Sequence, residues 1–403
     1  MRFRIPLVGA LVTAACNVAE PEAAPNGAAP GRCDAVAMVR SDYVSSVVSL
    51  ASVSGTLVSP RLFSSGSARP GTGAALSGDV VLPHDAPASG ALVVLDRFPA
   101  GVITWLDPGT GTVRGQLNVS TGFPANPHDY LELADTKAYV TRFETNAAPG
   151  AQPLDGGGDL LIVDPQAHRV TGRIDLSAFR DTSVVPPLEP RPDRMLRRGS
   201  QAIVTLGNMD RSFKRGGPGI VVGIDGGKDA VAWSARIAGY TNCGGVALSP
   251  DGKRLAVACS GIFAAGSAAQ RAESGVVLLE VGDAGATEVR RFAIADALDG
   301  ATPSQSLVFS GASTLLGVAF GDIPAGRSDV LFRVDLESGA VRSLTRPAGG
   351  GAFVYGDLSC PCGGPCLLAD AEAFQLLAIE QDRVSPRLVL PRDVPPRALG
   401  GLR

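Results

Sequence analysis

Val246-Ala247-Leu248-Ser249-Pro250-Asp251-Gly252-Lys253-Arg254-Leu255-Ala256-Val257-Ala258 reads as two short apolar strands folded back on a tight turn. Proline presets the backbone for such a turn, aspartate caps it, and glycine supplies the positive φ that a sharp reversal needs. Comparable pairs occur at Leu131–Ala134 with Lys137–Thr141, and at Ser306–Val308 with Thr314–Leu316.

A second kind of hairpin alternates with the first. It runs from an apolar strand through an acidic turn residue into a polar-apolar strand, as in Val102–Asp107 with Thr112–Leu117 and Leu160–Asp164 with Arg169–Ile174. Further copies begin at Ile220, Val276, Val330 and Gln375. The turn residues Asp107, Asp164, Asp225, Glu280, Asp335 and Glu380 are 57, 61, 55, 55 and 45 residues apart. Two hairpins per unit make four antiparallel strands, and helical periodicity is scarce. An all-β chain of repeated four-stranded units closes best as a β-propeller, whose ring leaves only short, protected edges.

Six units are complete, at 78–119, 127–178, 193–238, 243–294, 305–345 and 352–391. A spare hairpin, Val47–Leu50 with Thr56–Val58, stands one period upstream. Left alone it would expose an apolar edge. A seventh blade made from both ends, with Ala35–Val39 and the C-terminal tail adding strands, is the expected solution. Six blades plus an accessory N-terminal hairpin is the alternative.

Leu248–Ala258 resembles the YVTN-type propeller repeat, and Leu160–Pro165 resembles its third strand. The resemblance covers most of 41–391 and implies the propeller fold. It says little of function, because such rings host both binders and enzymes.

The composition fits that outline. Gly 50 and Pro 30 in 403 residues are too many for a helical protein, and a net charge of −3 argues against nucleic acid. Arg2 and Arg4 precede an apolar run, Ile5–Ala15, too short to span a bilayer but suited to a signal peptide over 1–15. Leu11-Val12-Thr13-Ala14-Ala15-Cys16 resembles the lipobox of bacterial lipoproteins. That resemblance implies lipidation of Cys16 and, with Asn17 next, an outer-membrane lipoprotein facing the periplasm or the cell surface. The alternative is a secreted protein cut near Ala14 or Ala15. Residues 16–32 are rich in Pro and Ala and read as a flexible, lipid-anchored linker, leaving 33–403 as one propeller domain. Membrane contact is expected through the lipid only, and the chain is expected to be a monomer.

Apart from Cys16 there are six cysteines, an even number that reads as disulfides in an exported chain. The turn of the 246–258 hairpin sets Cys243 nearly opposite Cys259. Cys360 and Cys366 flank the turn of the last such hairpin, which leaves Cys362 for Cys33. The alternative is a metal site on Cys360, Cys362 and Cys366, a spacing that is not that of a zinc ribbon.

In a propeller, the loops entering the innermost strand and those between the second and third strands share one face. The second type is long here, at 144–158, 208–218 and 261–275. That face is expected to bind an envelope protein or a small ligand without catalysis, through His128, Asp129, Asp193, Arg194, Asn242 and Gln305. Ser304 stands beside Gln305, and Asp96, Arg97, Arg142, Asn208 and Asp322 stand behind them. His84 is expected in a loop of the opposite face and His168 in an outer turn. The second reading is a metal-dependent lactonase, as some propellers of this general type are, with Asp129, Asp193, Asn242 and Asp322 as ligands to calcium or a similar ion. Asp155-Gly156-Gly157-Gly158-Asp159 is a further calcium candidate with few ligands. No cofactor is otherwise expected.

Overall fold

The computed structural model describes residues 33–265, 267–322 and 325–402. The expected signal peptide, Cys16 and the expected linker lie outside the described residues. The chain forms seven four-stranded antiparallel sheets arranged as the blades of a propeller. Blades 1 to 6 follow the sequence, with inner strands Val80–Val81, Pro127–Ala134, Pro192–Arg198, Cys243–Leu248, Thr302–Gly311 and Tyr355–Ser359. Blade 7 is built from both ends: Pro396–Gly401 is its inner strand, followed outward by Ala35–Ser41, Ser46–Ser52 and Leu57–Ser64. Its seam pairs Val36 with Gly401 and Met38 with Leu399.

Alternation along each strand explains why the ring closes. In blade 7, Val36 and Met38 pack with Leu367 and Leu376 of blade 6, whereas Ala37 and Val39 pack with Leu92 and Val94 of blade 1. Every blade has two apolar faces of this kind, and an apolar core fills each of the seven gaps between neighbours. A strand buried on both faces must read as a continuous apolar run. Gly219–Asp225, third in blade 3, is buried up to its last residue, while the outer strand Ala230–Ile237 is mostly exposed. Trp233 of that outer strand lies across Gly223, where a Cβ would stand 2.1 Å from the indole.

The turns obey local chemistry. In blade 4 the Ser249 N–H reaches the Arg254 carbonyl at 2.8 Å, the Arg254 N–H returns to Ser249 Oγ at 2.9 Å, and Gly252 takes φ +69°. In the outer hairpins one carboxylate oxygen caps two backbone N–H groups, as Asp225 does for Gly227 and Lys228 and Asp335 for Glu337 and Ser338. These N–H bonds hold both carboxyls below the usual carboxylate range. The Arg114 guanidinium, with the turn N–H groups, does the same for Asp107. A depressed folded-state pKa gives stability that is full above the unfolded value, near 4, and is lost as pH falls through the folded one. Thermal melts are therefore expected to be flat from pH 7 to about 5 and to decline below about 4. Asp225→Asn and Asp335→Asn together should make that decline shallower.

Three disulfides join Cys33 to Cys362, Cys243 to Cys259 and Cys360 to Cys366. All three thiols of the 360–366 segment are thereby committed, so they form no metal site. Cys243–Cys259 ties paired residues of one hairpin, and Cys33–Cys362 bolts the start of blade 7 to blade 6. In the loop-entropy picture a staple of such long range contributes at most about 6 kcal/mol. No helix among the described residues is long and apolar enough to cross a membrane.

Candidate ligand site in the central channel

The inner strands line the channel, and they are irregular where it matters. Pairing with the second strand slips between Pro127 and Tyr130, Pro192 and Met195, Cys243 and Gly245, Pro303 and Leu307, and Tyr355 and Leu358. In blade 7 it skips Arg397. A bulge of this kind leaves a residue unpaired and re-aims its side chain. The residues so released include His128, Asp129, Asp193, Arg194, Gly244, Gln305, Asp357 and Arg397. A ring of bulges thus turns some of these groups, Arg194, Gln305, Asp357 and Arg397, toward the axis.

Two cavities open on the channel. The upper one, of about 330 Å³, lies on the face with the long loops. Asp79, Arg97, Asn242, Ser260, Ser304 and Arg397 line it, and Tyr43, Phe263, Phe320 and Tyr355 stand around them. The lower one, of about 390 Å³, lies on the opposite face. Arg194, Gln305, Ser306 and Asp357 line both and form a belt between them.

Arg194 is the centre of that belt. Its Nη1 makes two long bonds, both 3.4 Å, to the carbonyls of Leu82 and His128. Burial alone would lower its pKa, but Asp357, Asp129 and Asp193 outweigh burial and hold the guanidinium more firmly charged. Burial pushes the Asp357 carboxyl up, with Arg194 opposing. Among the described residues no carboxylate forms an ion pair with Arg194; Asp129 and Asp193 are engaged elsewhere, and Asp357 acts on it from a distance. Asp193 meets His128 Nδ1 at 2.8 Å through Oδ1 and the Gln305 amide at 2.5 Å through Oδ2. Gly244 makes room for this, since a Cβ there would lie 2.5 Å from the Asp193 carboxylate. Burial by itself raises Asp193, yet His128, Arg194 and Arg97 together keep it below the usual carboxylate range. Burial lowers His128, against the pull of Asp193, so the pair is a neutral imidazole donating to a carboxylate.

The sequence-predicted residues therefore divide. Arg194, Asn242 and Gln305 line the upper cavity together with Ser304 and Arg97. His128 does not; it is buried, with its ring stacked on Phe143 at 4.0 Å. Asp193 supports from behind the wall. Asp129 points away from the channel and accepts the N–H groups of His84, Tyr130 and Met195 at 2.7–2.9 Å, pinning blade 2 to its neighbours. Asp322 is taken by Arg271 at 3.0 Å and Ser267 at 3.3 Å. Asp129, Asp193, Asn242 and Asp322 are thus not brought together, and no group of three or more metal-ligating side chains occurs among the described residues. Asp155 and Asp159 also part: Asp155 accepts the N–H groups of Gly150, Ala151 and Gln152, and Asp159 pairs with Arg142. Asp96 binds Ser77, and the Asn208 amide binds the Pro218 carbonyl.

Asp357, Arg397 and the part played by His84 were not legible. His84 does follow the inner strand on the opposite face, but there it lines the lower cavity. Asp357 occupies the bulge of blade 6 as Arg194 does that of blade 3, a correspondence that aligning the inner strands by their bulges would have exposed.

No family model matches the chain, and no curated protein matches it in sequence. Solved structures do. The periplasmic gluconolactonase PpgL of Pseudomonas aeruginosa is 14% identical with a TM-score of 0.59, over 92% of this chain and 99% of that one. The Cps50 (Swd1) β-propeller domain of Myceliophteria thermophila is 12% identical with a TM-score of 0.54, over 88% and 93%. Hydrazine synthase of Kuenenia stuttgartiensis is 14% identical with a TM-score of 0.53, over 77% and 80%. Proteins so unlike in function share the architecture alone, and what this chain has in common with them is the fold of a seven-bladed β-propeller.

Proposed function

We propose that this propeller binds a small hydroxylated carboxylate at the upper mouth of its channel, with Arg194 holding the carboxylate group. The carrying observation is the Arg194 guanidinium, half-buried at the axis, held charged and with no carboxylate among the described residues at ion-pair distance, at the floor of a cavity rich in hydroxyl and amide groups. Aromatic rings at the rim suit the C–H faces of such a ligand. Tyr43, Phe98, Phe213, Phe263 and Phe353 are all exposed on this face, whereas the other exposed large apolar residues among the described ones are Val231, Val289 and Val389 on outer strands and Val44 and Val185 in loops of the same face. The three disulfides support an oxidising compartment, in keeping with an envelope or secreted protein. Lipid anchoring at Cys16 belongs to the same proposal. Cys33 is fixed to the lower face, so a tether ending there would turn the upper mouth away from the membrane.

Titration calorimetry with D-gluconate tests the reading. Charge-assisted hydrogen bonds to one guanidinium contribute about 1.5–3 kcal/mol, so Arg194→Met is expected to weaken binding by about 10- to 100-fold. Equal binding by the variant, or none by the native protein, would overturn it. A second reading is hydrolysis of a sugar lactone, which draws on the likeness to the gluconolactonase. Glucono-lactone turnover above the buffer rate, lost in Arg194→Met, would favour that reading.

A further inference from the structure

We infer that the lower mouth of the channel is a second binding site, which takes a monocarboxylate with an aliphatic tail. The two mouths differ in chemistry although they share a belt. The upper is ringed by aromatic, hydroxyl and amide side chains; the lower is walled by Leu82, Leu307, Val308, Leu358, Leu399 and Leu402. Its volume of about 390 Å³ lies within the range of small-molecule pockets.

The polar groups of this cavity are asymmetric. Its acceptors are partly used: the Asp85 carboxylate takes the Arg197 N–H at 2.8 Å through one oxygen, and Ser306 Oγ takes the Leu358 N–H at 2.7 Å. Gln305 gives its amide to Asp193. Its nitrogen donors with bonding capacity left are the Arg194 guanidinium from the belt and the His84 imidazole from the lip. Asp357 is the acid of the belt; its charge is set against Arg194, and it accepts the Leu399 N–H at 3.4 Å. Arg194 and His84 at the polar end and leucines along the wall fit an anion with an apolar tail, whereas an amine would meet the Arg194 guanidinium in the same space. The inference shares Arg194 with the upper-mouth reading, adds His84 and the apolar wall, and does not require the upper mouth to be occupied.

Octanoate is the probe, octylamine the control, and titration calorimetry the measurement. The native protein is expected to bind octanoate saturably and octylamine at least 10-fold more weakly. Ala86→Trp and, from another blade, Ser359→Trp plug the lower mouth and should each weaken octanoate by 10-fold or more. Both lie outside the upper cavity, so gluconate binding should stay as in the native protein, which also reports that the variants are folded. His84→Ala should cost several-fold in octanoate affinity. The inference falls if the native protein binds no octanoate, if octylamine binds as well, or if both tryptophan variants bind octanoate normally. Loss of gluconate alone would refute the upper-mouth reading and leave this one standing.

Discussion

A chain ending at Pro395 is expected to unfold at a Tm about 5–10 °C below the full-length protein and to aggregate as it does. The missing strand, Pro396–Gly401, is the inner strand of blade 7 and the partner of Ala35–Ser41. Leu399 packs with Val36, Met38, Leu367 and Ala369, and Ala398 joins the core against blade 1. Burial of one leucine contributes about 2 kcal/mol and each lost ladder hydrogen bond about 1 kcal/mol. The sum is about 5 kcal/mol or more, which corresponds to several degrees for a chain of this size. The bared edge then offers an apolar row that pairs readily with other chains. Scanning calorimetry with light scattering checks both parts; an unchanged Tm would mean that the seam adds nothing to the ring. Cys33→Ser with Cys362→Ser should deepen the fall in the truncated chain more than in the intact one, because the disulfide then shares with Val36, Met38 and Ala51 the whole task of holding blade 7 to blade 6.

Asp159→Ala is expected to cost about 3–5 kcal/mol in urea denaturation. Arg142 and Asp159 are both fully buried and bonded twice, Nε to Oδ1 and Nη2 to Oδ2, each at 2.7 Å. The same guanidinium donates to the Leu154 carbonyl at 2.6 Å and to Thr121 Oγ1 at 2.5 Å, and it lies over the Phe123 ring. A buried pair adds little net stability over an apolar replacement, but removing one partner strands the other charge without water. The double variant Arg142→Met, Asp159→Leu should therefore recover most of the loss. A single variant as stable as the native protein would show that water reaches the guanidinium.

Periodicity made the ring legible. Turn residues such as Asp107 and Asp225 recur because each performs the same local bonding, and runs such as Ile220–Val222 recur because each third strand is buried on both faces. Even the shared blade followed from an unpaired apolar hairpin. The site was legible in part, for a definite reason. Period-two alternation tells inward from outward only in a regular strand, and the inner strands bulge where the channel is lined. His128 and Asp129 are adjacent, yet one stacks on Phe143 and the other serves three backbone N–H groups. Asp193 and Arg194 are adjacent, yet only the arginine reaches the cavities. Arg397 was hidden because it belongs to a blade whose inner strand comes from the far end of the sequence.

That last arrangement makes recognition conditional on completeness. Arg397 and Ala398 form part of the upper cavity wall, and Leu399 to Leu402 part of the lower. Neither cavity is walled while six blades are folded and the seventh waits for its inner strand. The last strand to leave the ribosome is thus the one that completes both openings, and a single cut in 390–395 would leave part of each wall joined to the ring by noncovalent contacts alone.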